Sequence, residues 1–87
     1  MQAATYDYRA LSERVRRALR ASFHPAKLRM SEGYLGRVHV LLRAEELNGL
    51  SEKAKQERVW AVLKQTLGAD AQGVSLVLPY GTDEPED

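Results

Sequence analysis

FHPAKLRMSEGYLGRVHVLLR, residues 23–43, is the stretch in which the chain changes its apolar rhythm. Pro25 forbids helix continuation, because its ring pushes the preceding residue out of the α region. Beyond it, KLRMS (27–31) alternates polar and apolar residues, which predicts a strand with Leu28 and Met30 inward. RVHVLLR (37–43) alternates again, with Val38, Val40 and Leu42 set against Arg37, His39, Leu41 and Arg43. The intervening EGYLG (32–36) holds two glycines and predicts a tight connection, so the two strands pair antiparallel. Gly33-Tyr34-Leu35-Gly36 also matches the GxxG loop with which KH domains clamp a nucleic-acid backbone. In a KH domain that loop joins two helices. Here it joins two strands, and a hairpin turn accounts for it.

Upstream, DYRALSERVRRALRAS (7–22) places Leu11, Val15, Ala18, Leu19 and Ala21 or Ser22 at helical spacing, with the arginines mostly off that stripe. Downstream, AEELNG predicts a loop in which Gly49 can take a positive φ. Ser51 is placed as an N-cap, and Glu52 puts negative charge in the first turn, where the helix dipole favours it. Val59, Val62, Leu63, Thr66 and Leu67 then form an apolar stripe flanked by Trp60, and Gly68 closes the helix. ADAQG reads as a linker, and VSLVLPY (74–80) as a strand with Val74, Leu76 and Leu78 on one side. The order α-β-β-α-β predicts an α+β two-layer sandwich, with both helices on one face of a three-stranded sheet. Residues 1–80 form one domain, and the acidic 81–87 is expected to be a flexible, frayed tail.

At 87 residues a single core is near the lower limit of self-sufficiency, and the 44% apolar content favours a packed globule over disorder. The chain has no Cys, which excludes disulfides, thiol catalysis and thiolate metal ligation. No apolar run approaches a membrane span and the N-terminus lacks a signal-peptide core, so a cytoplasmic protein without a membrane partner is expected. The net charge of +1 hides an asymmetry. Residues 1–43 carry nine Lys/Arg against three Asp/Glu, and residues 44–87 carry four against nine. The two halves are expected to neutralise each other across the fold.

Two histidines, His24 and His39, have no acidic or thiol neighbour at metal-ligand spacing. Glu45 and Glu46 read as a solvated charge pair, and Trp60 as half-buried packing. Nothing composes an active site, so no catalytic, metal or cofactor residue is expected. The candidate contacts for a partner protein or a nucleic acid are Arg14, Arg16, Arg17, Arg20, Lys55, Gln56 and Arg58. For nucleic acid, Lys27, Arg29 and Arg37 join the arginines, but no aromatic-studded basic strand accompanies them and such binding is expected to be weak.

The elements together resemble the BolA-like family over roughly residues 10–80. Phe23-His24-Pro25-Ala26-Lys27-Leu28 fits the family's F-x-P-x-x-L at the first helix-to-strand turn. Asn48-Gly49-Leu50-Ser51 fits its turn glycine and Leu-Ser before the second helix. Lys55-Gln56-Glu57-Arg58-Val59-Trp60 stands where the family shows Arg-His-Arg-x-[IV]-Tyr, with Leu63 three residues on. The resemblance implies a class II KH-like topology with a mixed sheet and a non-enzymatic role. It also implies pairing with a monothiol glutaredoxin around a shared [2Fe–2S] cluster; some members are linked to DNA binding. The ligands depart from that pattern. Gln72-Gly73 stands where the family's ligand histidine opens the last strand, Glu32–Gly36 offers no His or Cys, and Gln56 replaces the helix-two histidine. A protein-interaction module without cluster ligation is therefore expected, with nucleic-acid binding as the alternative.

Overall fold

The structure, a computed structural model, describes residues 5–85. Its first helix, α1 (Tyr8–Ser22), begins where the Asp7 carboxylate accepts the Ala10 N–H at 3.2 Å, and it buries Leu11, Val15, Ala18 and Leu19. Phe23 is buried at its end. Strands β1 (Ala26–Glu32) and β2 (Val38–Ala44) pair antiparallel from Ala26↔Ala44 to Glu32↔Val38. A 3-10 turn, Tyr34–Gly36, joins them, with Leu35 at φ 58° and Gly36 at φ 77°. A Cβ at position 36 would sit 1.9 Å from the Tyr6 carbonyl oxygen, so only glycine lets the N-terminal segment cross this turn.

A second 3-10 turn, Glu45–Leu47, buries Leu47 and leads to α2 (Glu52–Leu67), where Ser51 Oγ accepts the Ala54 N–H at 3.1 Å. Gly68, at φ 59°, ends that helix. The segment read as a linker is a 3-10 helix, Gly68–Gly73, that buries Ala71 and Gly73. Strand β3 (Val74–Tyr80) then pairs parallel with β2, giving the sheet order β1-β2-β3.

The predicted α-β-β-α-β layout is the one observed: two helices and a mixed three-stranded sheet. Val38, Val40, Leu42 and Ala44 of the central strand share one core with Leu11, Val15 and Leu19 of α1 and Val59, Leu63 and Leu67 of α2. Both helices therefore cover the same face. Among the described residues no helix is long and apolar enough to cross a membrane.

Three details depart from the sequence reading. Val38 pairs with Val74 but His39 pairs with Leu76, so Ser75 is an extra residue in β3. That bulge reverses the strand's alternation: Val74, Val77 and Pro79 are buried, while Leu76 and Leu78, expected beside Val74, lie on the other face. Thr66 is exposed and does not join the α2 stripe; Lys55 does, four residues before Val59. Residues 81–85 do not hang free. Arg43 donates to the Gly81 and Glu84 carbonyls at 2.9 and 2.8 Å. Asn48 accepts from the Thr82 and Asp83 backbone, and Asp83 accepts the Gly49 N–H. Residues 86–87 of the expected tail lie outside the described residues.

Candidate binding face

Because β2 turns Val38, Val40, Leu42 and Ala44 toward the helices, its intervening residues face the side that no helix covers. The strand register arranges that face in three rows. Lys27, Arg43 and Tyr80 form one; Arg29, Leu41 and Leu78 the next; Ser31, His39 and Leu76 the last. Leu76 is 42% exposed and Leu78 38%, beside a half-buried Leu41. A shallow groove of about 260 Å³ runs there, lined by Arg29, His39, Leu41, Leu76 and Leu78 among others. No carboxylate belongs to the three rows. Apolar side chains thus meet a cationic margin on an uncovered sheet.

Arg43 is engaged, its guanidinium 5.3 Å from the Tyr80 ring centroid and bonded to the C-terminal segment. Lys27 and Arg29 are exposed and make no ion pair among the described residues. Arg20 reaches the same margin from α1. With Ala26, Lys27, Leu28, Arg29, Leu41 and Arg43 it lines a groove of about 480 Å³ along the outer side of β1.

The other residues singled out from the sequence do not assemble into one surface. Arg14 bonds Asp70 at 2.6 Å. Arg16 is half-buried on α1, Arg17 is exposed there, and Arg58 is exposed on α2. Lys55 is a correction: it is only 1% exposed, and its ammonium bonds Glu52 at 2.8 Å and Glu84. Those two carboxylates, Glu52 first, hold its pKa above the ordinary lysine value. Its place in the Val59–Leu63–Leu67 stripe turns it inward, where the Glu84 side-chain carboxylate meets it. Gln56 is half-buried and partly engaged. Its Nε2 donates to the Val77 carbonyl of β3 at 2.8 Å, and its Oε1 accepts the Trp60 indole N–H at 3.1 Å. Lys55 is thus not left to offer a partner, and Gln56 keeps only part of its amide for one.

Glu46 is not a solvated charge. The His24 backbone N–H donates to its Oε2 at 2.8 Å, and this bond, followed by one from its own backbone, lowers its pKa. The two histidines do not converge. His24 is exposed before β1, whereas His39 lies over Gly33, where an added Cβ would sit 2.5 Å from Nε2. No group of three or more His, Cys, Asp or Glu able to hold a metal occurs among the described residues.

Leu76 and Leu78 are surface residues that sequence reasoning set on the same side as Val74, which is buried. Their signal is invisible in the alternation VSLVL, because a one-residue bulge depends on the partner strand. Comparison with known proteins finds no matching family model, no matching curated protein and no matching solved structure.

Proposed function

We propose that this protein is a non-enzymatic, BolA-like protein-interaction module that docks its partner on the uncovered sheet face. The observation that carries the reading is the exposed Leu76–Leu78 pair beside Leu41, on a sheet face with no helix over it. Contiguous apolar surface rimmed by polar groups is the usual mark of a docking site. Affinity capture with the intact chain tests it. The wild type retains a partner that Leu78→Glu loses, while circular dichroism shows the variant still folded. Equal retention overturns the reading.

A [2Fe–2S] cluster, which the family resemblance implies, does not fit the donors present. Glu32–Gly36 supplies one carboxylate and no imidazole or thiol, and Gln72 offers only an amide. At position 73 a Cβ would meet Leu11 Cδ2 at 2.3 Å and the Tyr6 ring at 2.8 Å, so a side chain there would have to displace both. The expected result on mixing with a cluster-loaded monothiol glutaredoxin is an unchanged visible absorption and circular-dichroism spectrum. A shift abolished by His24→Ala or His39→Ala would show a relocated ligand.

Nucleic-acid binding is the second reading, supported by Arg17, Arg20, Lys27 and Arg29, none of which is ion-paired among the described residues. A steep fall of oligonucleotide affinity with salt is its signature.

A further inference from the structure

The two outer strands of the sheet are guarded differently. On β3, Pro79 has no N–H to give, and the Val77 carbonyl is already taken by Gln56. β1 has neither device. Its seven residues, Ala26–Glu32, pair with β2 on one side and with no strand on the other among the described residues. The 480 Å³ groove is lined by four consecutive β1 residues, Ala26 to Arg29, with Leu41 and Arg43 of β2 and Arg20 of α1, so it covers the outer part of the uncovered face and reaches the β1 edge. Residues from both faces take part: Leu28 toward the helices, Lys27 and Arg29 away from them.

We propose that the β1 edge accepts an extended acidic segment of a partner protein as a fourth strand, with carboxylates at alternate positions meeting Lys27 and Arg29. This rests on the reading of the chain as a protein-interaction module and names a second contact beside the apolar face. Strand addition supplies main-chain hydrogen bonds, and directly opposed side chains supply selectivity. Opposite Lys27 and Arg29, on the uncovered face, the incoming strand places acids. Opposite Leu28 and Met30, both half-buried, it places apolar side chains that extend the core. Arg20 and Arg43 line the groove as further cations, and no carboxylate lines it. The recognised pattern is acid–apolar–acid.

In two registers the same charges disfavour a second copy of the chain. Antiparallel pairing of two β1 strands about Leu28 sets Lys27 against Arg29, and pairing about Arg29 sets that arginine against itself. Like charges directly opposed are destabilising. A single-stranded nucleic acid is the poorer fit, since the groove lining holds no aromatic ring on which a base could stack.

The test uses the full chain, isotope-labelled, and a seven-residue peptide of alternating Glu and Val matched to the length of β1. The expected result is binding that shifts the amide signals of Ala26–Glu32 and slows their exchange. Methylating one set of alternate peptide amides abolishes binding, while methylating the other set leaves it, because only one set faces β1. Lys27→Glu combined with Arg29→Glu weakens the Glu peptide about tenfold or more and creates affinity for a Lys/Val peptide. No binding at millimolar peptide, equal tolerance of both methylation patterns, or amide shifts confined to α1 overturns the proposal. So does an oligothymidylate that binds more tightly than the peptide. Capture of the partner separates the two readings. Loss with Leu78→Glu but full retention with Lys27→Glu/Arg29→Glu removes the edge proposal and leaves the interaction module standing. Full retention with both removes the module reading as well.

Discussion

The two helices lie on the same sheet face, yet they bury different chemistry. In α1 every inward position is apolar: Leu11, Val15, Ala18 and Leu19. In α2 the inward line, four residues apart, is Lys55, Val59, Leu63 and Leu67. Its first member is a cation. The difference follows from what each helix end meets. The N-terminal turns of α1 pack near Tyr6 and Gly73, which offer apolar surface. The N-terminal turn of α2 faces the returning C-terminal segment, which brings the Glu84 carboxylate to Lys55. A buried ammonium is tolerated because it is paired and hydrogen-bonded there. Helical periodicity therefore reports which side of a helix turns inward, and the partner surface decides what may stand on it.

The largest expected loss tests the part the helices share. Leu63→Ala empties a fully buried site and should destabilise by about 2–5 kcal/mol, with Leu19→Ala on α1 in the same range. Chemical denaturation of both variants measures this. A loss within error for Leu63→Ala alone would mean that α2 is not anchored as α1 is.

A smaller loss should isolate the part that differs. Lys55→Met keeps the stem's packing and removes the ammonium, so it should cost less than Leu63→Ala, and Glu84→Gln should cost more than Glu52→Gln. Glu52 is 81% exposed and Glu84 29%, so the former pair is largely replaced by water. Lys55 is held above its ordinary pKa, so its contribution is fully present below the unfolded lysine value and disappears as pH rises through the folded one. In an alkaline series of denaturation curves, the wild type should lose stability that Lys55→Met does not lose. Parallel curves for the two proteins would dissolve the distinction between the helices.

The smallest effects should again be equal. Asp7→Ala and Ser51→Ala each remove one N-cap acceptor and should cost about 0.5–2 kcal/mol. Thermal unfolding of the pair checks whether the two helix starts contribute alike. A negligible effect at Ser51 beside a normal one at Asp7 would show that the C-terminal segment, through Gly49 and Asn48, holds the start of α2 without its cap.

Much of the architecture was legible because it is local. Pro25, the glycines of the first hairpin and Gly68 act through their own backbone, and Ser51 through a hydroxyl that caps a backbone N–H three residues on; all mark where elements stop and start. Alternation placed Val38, Val40 and Leu42 inward, and helical spacing placed Leu11, Val15, Leu19, Val59 and Leu63. Less of the candidate site could be read. Arg20, Lys27 and Arg29 were visible as charges, but that they share one groove depends on how α1 lies against the β1 edge. Gln56 and Lys55 sit in a charged helical stretch that reads as solvent-facing until β3 and the C-terminal segment are placed beside it.

The sequence by itself determined the order of elements, both helix starts, the hairpin and the apolar stripe that seals the core, since each rests on periodicity or on a single residue's backbone preference. Only the tertiary structure decided which side of β3 faces out, because Ser75 is an extra residue only relative to β2. It alone also buried Lys55, closed the β3 edge with Gln56 and left the β1 edge open. The β3 facing, the Lys55 burial and the Gln56 bond each depend on a residue more than twenty positions away in the chain, and no local pattern encodes such a neighbour.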